Sequence, residues 1–394
     1  MSDDEADPEL VELLRQHIQG RLRVSEEPET GVLQDAEYVY DNSIDVAVDM
    51  RSTKNAAAAI YDAMQKKAYS TATWSEHELH PKPDGGEATV AFIFTMDLLN
   101  FSFWSELPDD KRFSIEYRGK KWTGYWSLVA ALQRALEEGI PITSSDFWQS
   151  EDECNLEVLK QVFRSATDEE MPLLAERLSC LREAGQVLYE KYSCSAANII
   201  KAADGSAARF VNILARDFAC FRDEHQLPGG RRKPVRILKR AQILAADLWA
   251  CFQGEGPYGS FRDIDKITMF ADYRIPQILC SLGCIGYSPP LDVAIKEKRL
   301  LEAGGVWEMQ LRGWFHDMKS RPFLSYTTPL TFVCMAEACS IWCVELLRRE
   351  IQRTHPDTKV NAILIDFFLY DTMKEKEAAG QETVPHHRTR SIWY

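Results

Sequence analysis

No apolar run in this sequence approaches the roughly 18 residues of a membrane-spanning helix, so no membrane partner is expected. The first residues, Met1 to Glu9, are acidic and polar and lack the basic and apolar regions of a secretory signal. A cytoplasmic location is therefore expected. Basic charge is in deficit: 46 Lys and Arg stand against 60 Asp and Glu, a net charge of −14. A polyanion binder normally carries a basic face, so direct, stable binding of nucleic acid is not expected. A small anionic substrate stays open. There is no phosphate-binding glycine loop, no HExxH helix and no GxSxG elbow, which removes the P-loop, zincin and α/β-hydrolase readings. No internal repeat and no doubly wound strand–helix alternation is present. Two C-x₃-C pairs, Cys280/Cys284 and Cys339/Cys343, sit in apolar helical patterns without the spacing or partners of a zinc knuckle. Reduced thiols and no metal are expected.

What is present is core-forming material, with 45% of the 394 residues hydrophobic. That supports a sizeable core. Residues 1–35 read as a mobile acidic arm with a helix from Pro8 to Gly20. Residues 36–394 read as one catalytic domain. Ser43–Tyr69 reads as a helix with Ala56–Ala59 and Ile60 on its apolar side. The period then changes: Ala88–Phe94 is apolar and β-branched, and Arg112–Trp122 alternates around Arg118–Gly119–Lys120. From Tyr125 onward apolar residues recur at helical spacing, around Leu128–Leu136, Leu173–Leu188, Phe210–Phe218, Ile237–Leu248 and Ile341–Ile351. Pro228–Pro234 reads as a basic loop. The expected class is mainly α, with a small antiparallel β insertion near residues 85–125.

Three aspartates stand out for chemistry. Asp272 lies in Thr268–Arg274, and Asp366 and Asp371 flank Phe367–Phe368–Leu369–Tyr370. Carboxylates among apolar and aromatic residues are costly unless paired or functional. Helix capping, or a buried ion pair with Arg274 or a lysine, is the competing explanation. At i and i+5 on a helix, Asp366 and Asp371 point about 140° apart. A strand would put them on opposite faces. A shared pocket is thus expected only if the segment bends or changes type. The aromatics of Asn100–Phe101–Ser102–Phe103–Trp104 could stack on a planar base or belong to the core. His386–His387 reads as part of a C-terminal tail.

Several of these stretches resemble, in order, the queuosine salvage protein family. They are Asn100–Trp104, Tyr117–Lys120, Gly124–Leu128, Glu138–Ser144, Lys239–Leu244, Ile267–Arg274, Pro276–Gln277, Trp342–Leu346 and Asp366–Asp371. The resemblance runs from about Trp74 to the C-terminus. It implies an N-glycosylase acting on queuosine 5′-phosphate, a helical fold similar to helix-hairpin-helix DNA glycosylases, and no metal or organic cofactor. It also implies that His77, Phe270, Asp272, Asp366 and Phe367 surround the base, with Asp371 as nucleophile or transition-state stabiliser.

The chemistry fits those residue types. Cleaving a ribosyl C–N bond builds oxocarbenium character at C1′, which a neighbouring carboxylate stabilises or attacks. Queuine is a 7-deazapurine with no N7 to protonate, so stabilisation of the sugar must carry more of the barrier. Its secondary ammonium and guanine-like N–H groups suit carboxylates, and Phe270 can stack on the ring. Lys239, Arg240 and Arg274 are the candidates for the 5′-phosphate, with structural ion pairing the alternative for each. Two other classes stand beside the hydrolase. A non-catalytic queuine carrier would need the base-binding residues but not Asp371. A nucleic-acid glycosylase would need a phosphate-tracking surface that the acidic charge disfavours.

One stretch departs from the family pattern. About 25 extra residues, roughly Trp314 to Ala338, separate Glu308–Gly313 from Cys339–Cys343. The stretch is aromatic and apolar without a clean period, and Pro322 and Pro329 interrupt any helix. An insertion in a compact domain is usually polar or forms its own element. A retained, translated intron is the expectation, with a real surface loop as the alternative.

Overall fold

The computed structural model describes residues 28–226, 233–303, 305–312, 340–381 and 383–394. The helix expected over Pro8–Gly20, most of the basic loop and the stretch 314–338 lie outside them. The part of the acidic arm that is described, from Pro28 to Asp35, is packed. Thr30 and Val32 are buried, and the Asp35 carboxylate accepts from the Arg236 amide at 2.8 Å.

The architecture is mainly helical, as the apolar periodicity indicates, with three short antiparallel two-stranded ladders among the described residues. In chain order the elements that matter here are α1 (Val32–Tyr40), β1 (Val46–Val48), α2 (Met50–Lys66), α3 (Thr71–Glu76), α4 (Glu87–Leu98), β2 (Ile115–Tyr117), β3 (Lys120–Trp122) and α5 (Tyr125–Glu137). They continue with α6 (Leu174–Tyr192), α7 (Ala207–Asp217), β4 (Glu224–His225), β5 (Val235–Arg236), α8 (Lys239–Cys251), α9 (Arg274–Ser281), β6 (Ile285–Tyr287), α10 (Val306–Arg312), α11 (Ser340–Thr354) and α12 (Ala362–Ala378). A contiguous hydrophobic cluster runs through them from Val32 to Met373.

Two expectations need correction. The helix expected from Ser43 begins at Met50, because Val46–Val48 pairs with Ile285–Tyr287 instead. Asp49 caps it, accepting from the Ser52 amide at 2.6 Å. The expected β insertion near 85–125 shrinks to the Ile115–Trp122 hairpin. Ala88–Phe94 is not a strand but the middle of α4. Nearly every residue of that helix is buried, so it carries no polar face and no 3.6-residue period to read. β-Branched residues there follow from burial rather than from a sheet.

Helix α8 is central and packs against α3, α4 and α7, while α12 packs against α9 and α11. The link from Ile267 to Asp272 runs between them without regular structure. Gln242 of α8 pins it in both directions: its Nε2 donates to Thr268 Oγ1 at 3.0 Å and its Oε1 accepts from the Thr268 amide at 3.0 Å. The C-terminal residues are not a free tail. Tyr394 and His387 are buried, the Ser102 amide donates to the Tyr394 carbonyl at 2.9 Å, and Trp104 Nε1 donates to the Thr389 carbonyl at 2.8 Å.

Candidate active site

A cavity of about 920 Å³ opens between α3, α8, the 267–272 link, α12 and the C-terminal segment. His77, Lys239, Phe270, Asp272, Arg274, Asp366, Phe367 and Asp371 all line it. Its volume is in the range of small-molecule sites.

Asp366 and Asp371 reach this cavity from one uninterrupted helix, so the bend expected between them is absent. The wall-forming residues of α12 are Asp366, Phe367, Tyr370, Asp371, Lys374 and Glu375. At about 100° per residue they span an arc of about 180°, with Asp366 at one edge and Asp371 about 140° from it. The cavity wraps around the helix, and residues 140° apart face it from either side of the arc.

Each carboxylate has one oxygen held in place. Asp366 Oδ2 accepts from the Phe270 amide at 2.9 Å. Burial pushes its carboxyl well above the ordinary range, and nearby Asp272 adds to the rise. Asp272 Oδ1 accepts from the amides of Arg274 and Ile275 at 2.7 and 3.0 Å, capping α9. Asp371 Oδ2 accepts from the Tyr69 hydroxyl at 2.5 Å. Burial also raises Asp371, with the Tyr69 hydrogen bond acting against it. Phe270 and Phe367 lie 5.9 Å apart at a 47° tilt.

His77 terminates α3 and stacks on Trp126 at 3.3 Å between centroids. Burial lowers it to about 4, so the ring is neutral, and its Nδ1 accepts from the Leu79 amide at 3.2 Å. Behind it Trp74 stacks on His80 at 3.7 Å. Of the aromatic run 100–104, Phe101 belongs to the core, while Phe103 and Trp104 line the cavity.

The three cations expected at the phosphate go to three different places. Lys239 sits at the cavity floor, buried, its Nζ 3.4 Å from the Asn100 carbonyl and closest in field to Asp272. Arg274 lines the cavity and pairs with Glu377. Arg240 is not part of the lining. Its guanidinium donates to the carbonyls of Leu98 and Cys220 and lies 4.9 Å from the Phe101 ring, so it is a cation of the core. Neighbours on a helix diverge by about 100°, which separates Lys239 from Arg240.

Several lining residues were not singled out from the sequence: Tyr69, Asp247, His80, Lys67, Lys374, His386 and Tyr394. For Asp247 a signal existed. It lies in Leu244–Ala245–Ala246–Asp247–Leu248, the same pattern of a carboxylate in an apolar run that marked Asp366. His386 was read as tail and instead packs against Tyr273 at 4.6 Å.

Comparison with known proteins places the chain among relatives. A family model described as queuosine salvage protein matches residues 79–315 and 334–394. The chain belongs to the queuosine salvage protein family. A queuosine 5′-phosphate N-glycosylase/hydrolase of Schizosaccharomyces pombe is 42% identical over 377 residues, covering 92% of this chain and 99% of that protein. Proteins of the same name from Mus musculus and Sphaerobacter thermophilus are 37% and 35% identical, each covering 92% of this chain and 98% of the relative.

The family match breaks off between residues 315 and 334, inside the stretch that departs from the family pattern. The described residues on either side touch: Ser340 Oγ donates to the Leu311 carbonyl at 3.0 Å. A chain lacking 314–338 therefore needs only Gly313 and Cys339 to bridge α10 to α11. Its deletion is expected to leave queuine-releasing activity intact. Loss of activity in a deleted but folded protein would make the stretch part of the working enzyme. Uniform retention in mature transcripts would refute the intron.

Proposed function

We propose that this protein hydrolyses the N-glycosidic bond of queuosine 5′-phosphate, releasing queuine for salvage into tRNA modification and leaving ribose 5-phosphate. The observation that carries the reading is the joint placement of Asp371, Asp366, Asp272, Phe270, Phe367 and His77 on one aromatic cavity in a member of this family. Phe270 and Phe367 offer faces for the base. Asp366 and Asp272 take its N–H donors, and neutral His77 stacks or accepts at its edge.

Asp371 stands beside C1′. As the C1′–N bond breaks, its electron pair leaves with the base and positive charge grows on the sugar, where the carboxylate is held ready by Tyr69. Water adds its oxygen to C1′, directly or after Asp371 has bonded there, and its proton ends on the departing base. The cations lining the cavity, Arg274, Lys374, Lys67, Arg112 and the buried Lys239, are the candidates for the 5′-phosphate. We further propose a cytoplasmic enzyme that does not bind nucleic acid stably. In fold it would be akin to helix-hairpin-helix glycosylases.

Incubating the pure protein with queuosine, its 5′-phosphate and queuosine-containing tRNA tests the reading. Free queuine is expected chiefly from the 5′-phosphate. Binding without release would instead indicate a carrier, and release from tRNA a nucleic-acid glycosylase. Within the site, Asp272→Ala and Phe270→Ala are expected to weaken queuine binding by about 1–3 kcal/mol each, through loss of a charge-assisted contact and a stacking face. Calorimetric titration showing unchanged affinity in both would contradict this placement.

A further inference from the structure

The cavity-facing stripe of α8 is Lys239, Ile243 and Asp247, at i, i+4 and i+8. At 1.5 Å per residue it is about 12 Å long, with a cation at one end, an apolar centre and a carboxylate at the other. The cationic end is matched. Lys239 lies nearest in field to Asp272, then Asp97, with Asp366 beyond. The acidic end has no such match: burial, with Asp97 adding to it, pushes Asp247 well above the ordinary carboxylate range, and the Trp74 hydrogen bond and Lys239 counter this only in part. Asp247 is 2% exposed and lines the cavity. Its Oδ1 accepts from the neutral indole N–H of Trp74 at 3.1 Å, and Oδ2 has no hydrogen-bond partner among the described residues. The charged group that weighs most on Asp247 is another carboxylate, Asp97. Asp97 is fully buried, and its Oδ2 has no hydrogen-bond partner among the described residues.

The walls at this end are aromatic. Trp74 stacks on His80, and His80 Nε2 meets the Tyr125 hydroxyl at 2.9 Å. Tyr125 feels Asp247 more than any other charged group. A dry, surplus carboxylate framed by ring faces is a receptor for an organic cation. Of the other cavity aspartates, Asp272 accepts from two backbone amides, while Asp366 and Asp371, like Asp247, each accept one hydrogen bond, from the Phe270 amide and the Tyr69 hydroxyl; the stacked aromatic wall sets Asp247 apart.

We propose that Asp247 binds the secondary ammonium on the side arm of the substrate base, and thereby selects 7-deazaguanine nucleotides that carry a cationic arm over those that do not. This rests on the reading of the cavity as the queuosine 5′-phosphate site. The base then lies over Ile243, its arm toward Asp247 and Trp74 and its glycosidic edge toward Asp371.

The test is calorimetric titration of wild type and Asp247→Asn with queuine and with 7-deazaguanine, which shares the ring but has no arm. Asparagine keeps the volume and still accepts from Trp74. The variant is expected to lose about 10–100-fold in queuine affinity, the size of a lost charge-assisted hydrogen bond, and to change little toward 7-deazaguanine. Equal losses for both ligands, or unchanged queuine affinity, would overturn the proposal. Wild type alone gives a second reading that no folding defect can blur. Its kcat/KM for 7-aminomethyl-7-deazaguanosine 5′-phosphate should exceed that for 7-deazaguanosine 5′-phosphate by about tenfold or more, by the same argument; equal values would refute it. Wild type inactive on queuosine 5′-phosphate would sink the functional reading, whereas the titrations report on Asp247 without turnover.

Discussion

Asp371→Asn is expected to abolish queuine release, with kcat down by about 10³-fold or more, in a protein that unfolds at an unchanged temperature. The substitution keeps the shape of the side chain and an oxygen for the Tyr69 hydroxyl, which approaches at 2.5 Å. It removes only the negative charge, and that charge is what the oxocarbenium-like sugar requires. A leaving base with no N7 to protonate makes the loss harder to offset. Burial holds Asp371 above the ordinary carboxylate range. Its ionised form is therefore gained at a higher pH than usual, and the acidic limb of kcat/KM should lie above about 4. Single-turnover measurements of queuine check both points. Near-normal turnover by the folded variant would remove Asp371 from the chemistry.

Arg312→Ala is expected to destabilise the fold by about 3–5 kcal/mol, the usual result of removing one member of a buried ion network. Arg312 is fully buried between Asp223, at 2.5 Å, and Glu308, at 3.0 Å, and its guanidinium lies 4.1 Å from the Tyr394 ring. Alanine would remove the guanidinium that both Asp223 and Glu308 face in the core. It would also free the Ala271 carbonyl, which accepts from Arg312 Nε at 3.1 Å next to Asp272. Site and stability should thus decline together. Burial alone would raise Asp223, but Arg312 and His225 outweigh it and bring it down to about 2. A depressed carboxylate stabilises fully above its unfolded value of about 4, and that contribution is lost as pH falls toward about 2. Denaturant unfolding of wild type and variant measures the difference; a loss under about 1 kcal/mol would mean the network is dispensable.

What was legible in the sequence followed physical pattern. The helices around Leu173–Leu188 and Phe210–Phe218 were readable because each buries mainly one side and keeps a 3.6-residue period, and the one around Ile237–Leu248, though buried nearly all round, because Lys239, Arg240, Gln242 and Asp247 break its apolar residues into helical spacing. Helix α4 was not, because it is buried nearly all round. The candidate site was legible where residues sit in long motifs, Ile267–Arg274 and Asp366–Asp371. It was not where the fold alone brings residues together. Tyr69 meets Asp371 across 302 positions, and Trp74 meets Asp247 across 173. Motif membership also misled once, since it cannot tell Lys239 from Arg240, which adjacent helical positions send in different directions.

The most direct test follows both products of wild-type protein mixed with excess queuosine 5′-phosphate, by liquid chromatography and mass spectrometry. The account predicts queuine and ribose 5-phosphate in equal amounts over many turnovers. Recovery of intact nucleotide, with at most one molecule held per protein chain, would contradict it.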